Sequence, residues 1–318
     1  MNTLAIDLGG SRVKMTVIAG DVMHPPAVFP VNSKAPLADT LHTVAMQGAA
    51  LVHHANIVPD AVALALPGIV HRGRAVACNG KYEDAVTFHW NSWAHAAFGT
   101  GIRLINDAAA ALYGEMHHGV ARDAEAAAML IIGTGIGTAA AQDGRVLEGR
   151  HGTMGMLGGH IAIEMHPRRR CTCGSIGCLE AWAGTWALDE LAREMEGFRQ
   201  SLLAQCERVD YRALAEGKSL DDPVSVALFD VVSDALGMGA VNLIHAYDPE
   251  VLILSGGPCH IPELCERIRQ YVHQHAWTPW GQVEIRVAKD PEASVLWGLH
   301  HYAKLHREQK ESSSPYAG

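Results

Sequence analysis

TLAIDLGGSRVKMTVIAG, residues 3–20, alternates apolar and polar side chains on both sides of Gly9-Gly10-Ser11. Period-two alternation flanking a glycine turn predicts a β-hairpin. The same grammar returns at residues 127–149, AAMLIIGTGIGTAAAQDGRVLEG, as strand, glycine turn and strand, with Asp143-Gly144 leading into a further strand. Two halves that open alike predict a duplicated α/β fold with two domains around a cleft, although the halves share little sequence.

The intervening stretches fit that pattern. AVALALPGIV (61–70) reads as a strand ending at the Pro67-Gly68 turn, and IRLIND (102–107) as a strand feeding a helix that stops at Gly119. Further on, a helix is expected over roughly 180–195. Another is expected over 224–247, followed by strands at 249–257 and 282–288 and a helix at 294–305. The polar tail EQKESSSPYAG (308–318) is expected to fray.

Composition narrows the function. At 318 residues and 48% apolar content the chain can bury a large core. A formal net charge of −9 argues against nucleic acid or an anionic membrane as the main partner. The N-terminus lacks a basic region followed by an apolar core, and no apolar run reaches the roughly 18 residues of a membrane span. Seven cysteines, an odd number scattered apart from one cluster, do not look like a disulfide framework, and a reducing cytoplasm is expected. Most of the nineteen histidines, including His53, His54, His117 and His118, read as surface or boundary residues.

Glycine turns allow backbone N–H groups to approach an anion, because no Cβ intervenes. DLGGSRVK (7–14) and GTGIGT (133–138) each read either as an ordinary hairpin loop or as a phosphate cradle. Neither is a dinucleotide fingerprint, since strand leads to strand and the third glycine position is Thr138. Asp7, closing the first strand, is placed to hold Mg²⁺ beside a polyphosphate, and Lys14 to add charge nearby. Asn106-Asp107 falls where strand passes to helix. Asp107 there is either an N-cap or a general base at a sheet edge, with Asn106 orienting a sugar.

Three cysteines crowd into CTCGSIGCLE (171–180), eleven residues after His160. His160, Cys171, Cys173 and Cys178 are a Cys₃His set of the kind that closes a tetrahedral Zn²⁺ site, and Gly174 and Gly177 permit a tight loop. A redox Cys-x-x-Cys is absent, and the compartment disfavours disulfides. Four protein ligands leave no open position, so this zinc would be structural. His160 could bind it through one ring nitrogen and a substrate hydroxyl through the other.

In order along the chain, DLGGSRVK, LPG, INDAAAALYGE, GTGIGT, GH with CTCGSIGCLE, and YDPEVLILSGG resemble the ROK family of repressors, open reading frames and sugar kinases. The resemblance runs from Asp7 to about Leu299. It implies an actin-like ATPase (ribonuclease H-like) fold and ATP-dependent phosphorylation of a hexose or hexose derivative, commonly at the 6-hydroxyl. It further implies a homodimer, with domains at 1–108 and 109–291, the latter bearing the zinc loop 160–180, and a C-terminal helix from about 292 packing back on the first domain. By the same resemblance Asp107 is the catalytic base, and Gly68, Asn79, Asn106, His160 and Glu180 meet the sugar. Gly9, Gly10, Ser11, Gly133, Thr134, Gly135 and Gly137 surround the phosphates, with Gly256 and Gly257 near the adenosine. Glu180 also reads as an acid in the first turn of a helix.

Two stretches depart from the family. Its Glu-x-Gly-His becomes MGMLGGH (154–160), with Leu157 in place of the glutamate, and ACNGKYEDAVTFHW (77–90) keeps only Asn79 of the usual sugar loop. An apolar side chain cannot accept a sugar hydroxyl. The sugar kinase reading therefore stands beside that of a sugar-binding or regulatory family member without catalysis. A DNA-binding repressor is disfavoured, since the chain opens directly on its first strand.

Overall fold

The computed structural model describes residues 1–78, 80–164 and 169–312, so Asn79 and residues 313–318 of the tail lie outside it. Two compact units divide the chain. Unit 1 comprises residues 1–122, 148–153 and 290 onward, and unit 2 comprises 123–147 and 154–289.

Unit 1 opens with the hairpin of β1 (Asn2–Leu8) and β2 (Arg12–Ala19), extended by the short β3 (Val22–Met23) and β4 (Ala27–Pro30). After α1 (Leu37–Ala55) come β5 (Ala61–Leu66) and the small ribbon of β6 (Ile69–His71) and β7 (Arg74–Ala77). Then follow α2 (Trp90–Phe98), β8 (Ile102–Asn106) and α3 (Asp107–His117). The sheet order is β3-β2-β1-β5-β8, with β4 on β2. β1 is antiparallel to β2 and parallel to β5, and β5 is parallel to β8. Leu4, Ile6, Leu8, Leu64, Leu66 and Leu104 point from these strands into one core with Leu37, Leu41 and Val44 of α1. α1 has no capping side chain of its own; Asp84 accepts from Leu37 N at 2.8 Å instead.

The C-terminal helix, Pro291–Ser312, closes unit 1 against α3. Two glycines permit the close crossing: a Cβ on Gly114 would overlap the Ser294 carbonyl, and one on Gly298 the Ala110 carbonyl. His117 is partly buried and His118 exposed, at the boundary and surface as expected, and both stack on the C-terminal helix. His117 stacks on His301 with ring centroids 3.3 Å apart, and His118 on Trp297 at 4.0 Å, because the crossing brings the C-terminal turn of α3 onto an aromatic face. The helix also runs past the expected end near residue 305.

Unit 2 repeats the scheme. β9 (Ala127–Ile132) and β10 (Ile136–Gln142) form its hairpin, with β11 (Arg145–Val146) beyond. The expected single helix over 180–195 is two, α4 (Glu180–Ala183) and α5 (Thr185–Glu194), with Gly184 extended between them. α6 (Tyr211–Ser219) and α7 (Pro223–Tyr247) precede β12 (Val251–Ser255), α8 (Pro262–His275) and β13 (Glu284–Val287). The order is β11-β10-β9-β12-β13, antiparallel at the hairpin and parallel at β9–β12 and β12–β13. This is the β2-β1-β5-β8 pattern of unit 1 built a second time. Among the described residues α7 alone is long and apolar enough to cross a membrane, but Leu228, Phe229, Val232 and Leu236 bury it in the core of unit 2.

Candidate active site

β1 delivers Asp7 to the edge of its sheet, immediately before the Gly9-Gly10 turn. Gly9 is required there, since a Cβ would lie 2.7 Å from the Arg12 carbonyl. The Tyr82 hydroxyl donates to Gly9 O at 2.9 Å, and the Lys81 side chain packs on Gly10. Lys14, expected to serve phosphate, is buried and ion-paired with Glu292 at 2.7 Å, a partner it shares with Arg12.

At the β8–α3 junction the N-cap is Asn106, whose Oδ1 accepts from Ala109 N at 3.1 Å. Asp107 is the first helical residue, so it is not the cap. Its Oδ1 accepts from Ala108 N and from Asn106 Nδ2, both at 2.9 Å. Asn106 Nδ2 also donates to Gly68 O at 2.9 Å. Both polar atoms of Asn106 are thus occupied within the protein, and its first effect is to fix Asp107. Gly68 adopts φ +143, and a Cβ on it would overlap the Ala77 carbonyl.

Burial dominates the electrostatics of the two carboxylates. Asp7 is pushed up to about 7 by desolvation and the neighbouring Asp107 charge, against the opposing pull of Lys14. Desolvation also raises Asp107, countered by the Ala108 N–H, the Lys81 charge and the Asn106 amide. Two half-buried acids beside a glycine turn are a hard-oxygen donor set that suits a divalent cation, which would in turn favour their ionised forms.

The glycine turn of unit 2 is held by its own helices. Thr185 Oγ1 and N both donate to Gly133 O, at 2.7 and 3.1 Å, and Trp186 N donates to Thr134 O at 3.2 Å. Glu180 is buried beneath this turn. Its Oε2 accepts from Ile136 N at 2.9 Å and would overlap a Cβ on Gly135, which must therefore be glycine. Its Oε1 accepts from Thr172 Oγ1 at 3.0 Å and Trp186 Nε1 at 3.3 Å. One carboxylate thereby ties the phosphate-type turn to the cysteine loop. At the end of β12, Gly256 has φ +100 and lies tight on Ile132 O, whereas Gly257 faces open space.

In the cysteine loop, Gly174 and Gly177 take φ +88 and +76, left-handed values that glycine accepts without strain. The ligand atoms of His160, Cys171, Cys173 and Cys178 all lie within 4.8 Å of one another. His160 Nδ1 is 3.5 Å from Cys171 Sγ, and Cys173 Sγ is 3.7 Å from Cys178 Sγ. Ligands about 2.0–2.3 Å from one tetrahedral centre stand roughly 3.3–3.8 Å apart, so these spacings suit a zinc-sized ion and are far too long for a disulfide. Because Nδ1 turns toward the thiols, Nε2 is the ring nitrogen left for another partner. Leu157 O accepts from His160 N at 2.9 Å, and the Leu157 side chain is 44% exposed.

Lys81, Tyr82, Thr172, Thr185 and Trp186 escaped the sequence reading. Only Lys81 carried a signal, a cation two residues after Asn79 in a loop that departs from the family pattern.

The family model for the ROK family matches residues 3–304. The chain is 34% identical to a glucokinase of Thermotoga maritima over 164 residues, about half the length of either protein (50% and 51%). It is 28% identical to the N-acetylmannosamine kinase of Salmonella typhimurium over 85% of this chain and 94% of the relative. Among solved structures, the ROK hexokinase from Thermus thermophilus matches with a TM-score of 0.78 at 27% identity, over 97% of this chain and all of the other. With the repeated sheet pattern, these matches lead to one conclusion: the chain belongs to the ROK family and has its two-domain actin-like ATPase fold.

Proposed function

We propose that the protein is a sugar kinase that transfers the γ-phosphoryl of MgATP to a hydroxyl, at the 6-position, of a hexose or hexose derivative, with Asp107 as general base. The observation that carries this is the Asp107 carboxylate, half-buried at a strand–helix junction and oriented by Asn106 and Ala108 N–H. Desolvation raises it above its ordinary pKa, which makes its ionised form a better proton acceptor. The sugar oxygen attacks the γ-phosphorus as its proton passes to Asp107, and ADP departs.

Other side chains take supporting parts. Asp7 would hold Mg²⁺, which when bound neutralises charge on the donor phosphates. The Gly9-Gly10-Ser11 and Gly133–Gly137 turns offer backbone N–H groups to the phosphates, and Gly256 and Gly257 lie near the adenosine, Gly257 facing open space. His160 Nε2 serves a sugar hydroxyl while Nδ1 faces structural zinc. Gly68, Asn79 and Glu180 complete the sugar site in the family pattern.

Leu157 favours a second reading, a sugar-binding regulatory member without turnover, because no carboxylate stands at that position. Both readings are tested by assaying ADP release with MgATP, and with magnesium polyphosphate as alternative donor, against hexoses, N-acetylhexosamines and 2-substituted analogues. The kinase reading expects turnover with one sugar and a product whose ³¹P–¹H coupling locates the phosphate on C6. Sugar binding by calorimetry without turnover from either donor would favour the regulatory reading.

A further inference from the structure

Lys81 and Tyr82 meet the first glycine turn side by side. Tyr82, buried with its backbone at φ +47, donates its hydroxyl to Gly9 O at 2.9 Å. Next to it, a Cβ on Gly10 would lie 3.0 Å from Lys81 Cε and 3.2 Å from Nζ. Lys81 N donates to Cys78 O and Tyr82 N to Ser33 O, each at 2.8 Å, so the backbone beneath the lysine is tied down on both sides. The exposed lysine thus rises from a fixed backbone, with its side chain lying against the turn.

Charge balance singles out the same residue. Asp7 and Asp107 bring two half-buried carboxylates, while Lys14 and Arg12 are committed to Glu292. Lys81 makes no salt bridge among the described residues, yet it is close enough for its charge to act on Asp107. A polyphosphate brought to this turn would meet, in Lys81, a cation that makes no salt bridge among the described residues and whose side chain lies against the turn.

We propose that Lys81 is the phosphoryl-binding cation of this site, its ammonium hydrogen-bonding the oxygens of the transferring γ-phosphoryl group. The assignment rests on the kinase reading above. During transfer the acceptor oxygen–phosphorus bond forms, and the bond from the γ-phosphorus to the β–γ bridging oxygen breaks. Its electron pair leaves on ADP, the hydroxyl proton goes to Asp107, and Lys81 keeps its proton throughout. A donor aimed at charge that develops in the transition state acts mainly on kcat.

The test uses the full chain and its Lys81→Met and Lys81→Arg variants, with melting temperature as a control for folding. ADP release is followed with MgATP and whichever of D-glucose, N-acetyl-D-mannosamine or methyl β-D-glucoside the wild type turns over, and MgAMPPNP binding is titrated separately. Lys81→Met should lower kcat about 100-fold, leave the sugar KM within about threefold and weaken MgAMPPNP about tenfold, with Lys81→Arg recovering most of the loss. A Lys81→Met variant with wild-type kcat and wild-type MgAMPPNP affinity would overturn the assignment. If the wild type turns over none of these sugars, the kinase reading is what has failed in that panel. The MgAMPPNP titration then decides Lys81 by itself, weaker binding supporting it and equal binding overturning it.

Discussion

Asp107 owes its orientation to the residue before it. Asn106 caps α3 through its oxygen and uses its amide to bind both Gly68 O and the Asp107 carboxylate. Asn106→Ala removes all three bonds, and a loss of about 1 kcal/mol is expected from the cap alone, read as a lower melting temperature. It should also lower kcat, because a loosened base spends less time in line with its proton. Asp107 itself sits above the ordinary aspartate range. Below its folded pKa it is protonated and cannot act as a base, so the acidic limb of kcat/KM is expected at higher pH than a free aspartate would give. A limb at the free-aspartate position would contradict that assignment. Asn-Asp was legible at a strand–helix junction, but which of the two capped the helix was not. Both side chains can cap, and only the reach of the amide to Gly68 O decides between them.

At the scale of elements, the α3 crossing with the C-terminal helix depends on two missing methyl groups. Gly298→Ala would push a Cβ into the Ala110 carbonyl, and a destabilisation of about 1–3 kcal/mol is expected on thermal melting. The cysteine loop makes a second prediction. The purified protein should carry one zinc per chain by elemental analysis, and Cys178→Ser should lose it together with stability; a metal-free, equally stable wild type would refute the site. The hairpins, the glycine turns and the Cys₃His set were all readable from spacing. The break at Gly184 was not, because a single glycine costs a helix only about 1 kcal/mol relative to alanine. The break arises from Thr185 N and Trp186 N bonding to Gly133 O and Thr134 O, a tertiary cause. The grip of Glu180 on Ile136 N was hidden for the same reason, since its partner lies 44 residues away.

For the whole molecule, the duplication was foreseen from two glycine hairpins although the halves share little sequence, while the strand order came only from the structure. Topology is carried by the pattern of apolar strands and turns more than by residue identity. What composition concealed was the histidine-rich face of unit 1. Burial holds His300 down to about 4 and His301 to about 3, with Lys304, His117, His118 and the N-terminus adding repulsion. The unfolded chain takes up these protons near pH 6.5 while the folded one refuses them. Stability is therefore full above pH 6.5 and falls as the pH drops toward those folded values. At pH 5 the loss should reach about 2 kcal/mol for the buried His300, and less for the more exposed His301. Urea unfolding at pH 7.5 and pH 5 checks it, and equal midpoints would contradict it.

That one half-buried carboxylate drives phosphoryl transfer to a sugar is tested most directly by the initial rate of sugar-dependent ADP release in wild type and Asp107→Asn. The variant is nearly isosteric and keeps the helix start, so the fold should survive. The account predicts sugar-stimulated turnover in the wild type and a loss of about 100-fold or more in the variant, with sugar still bound. A variant that turns over at the wild-type rate would contradict it.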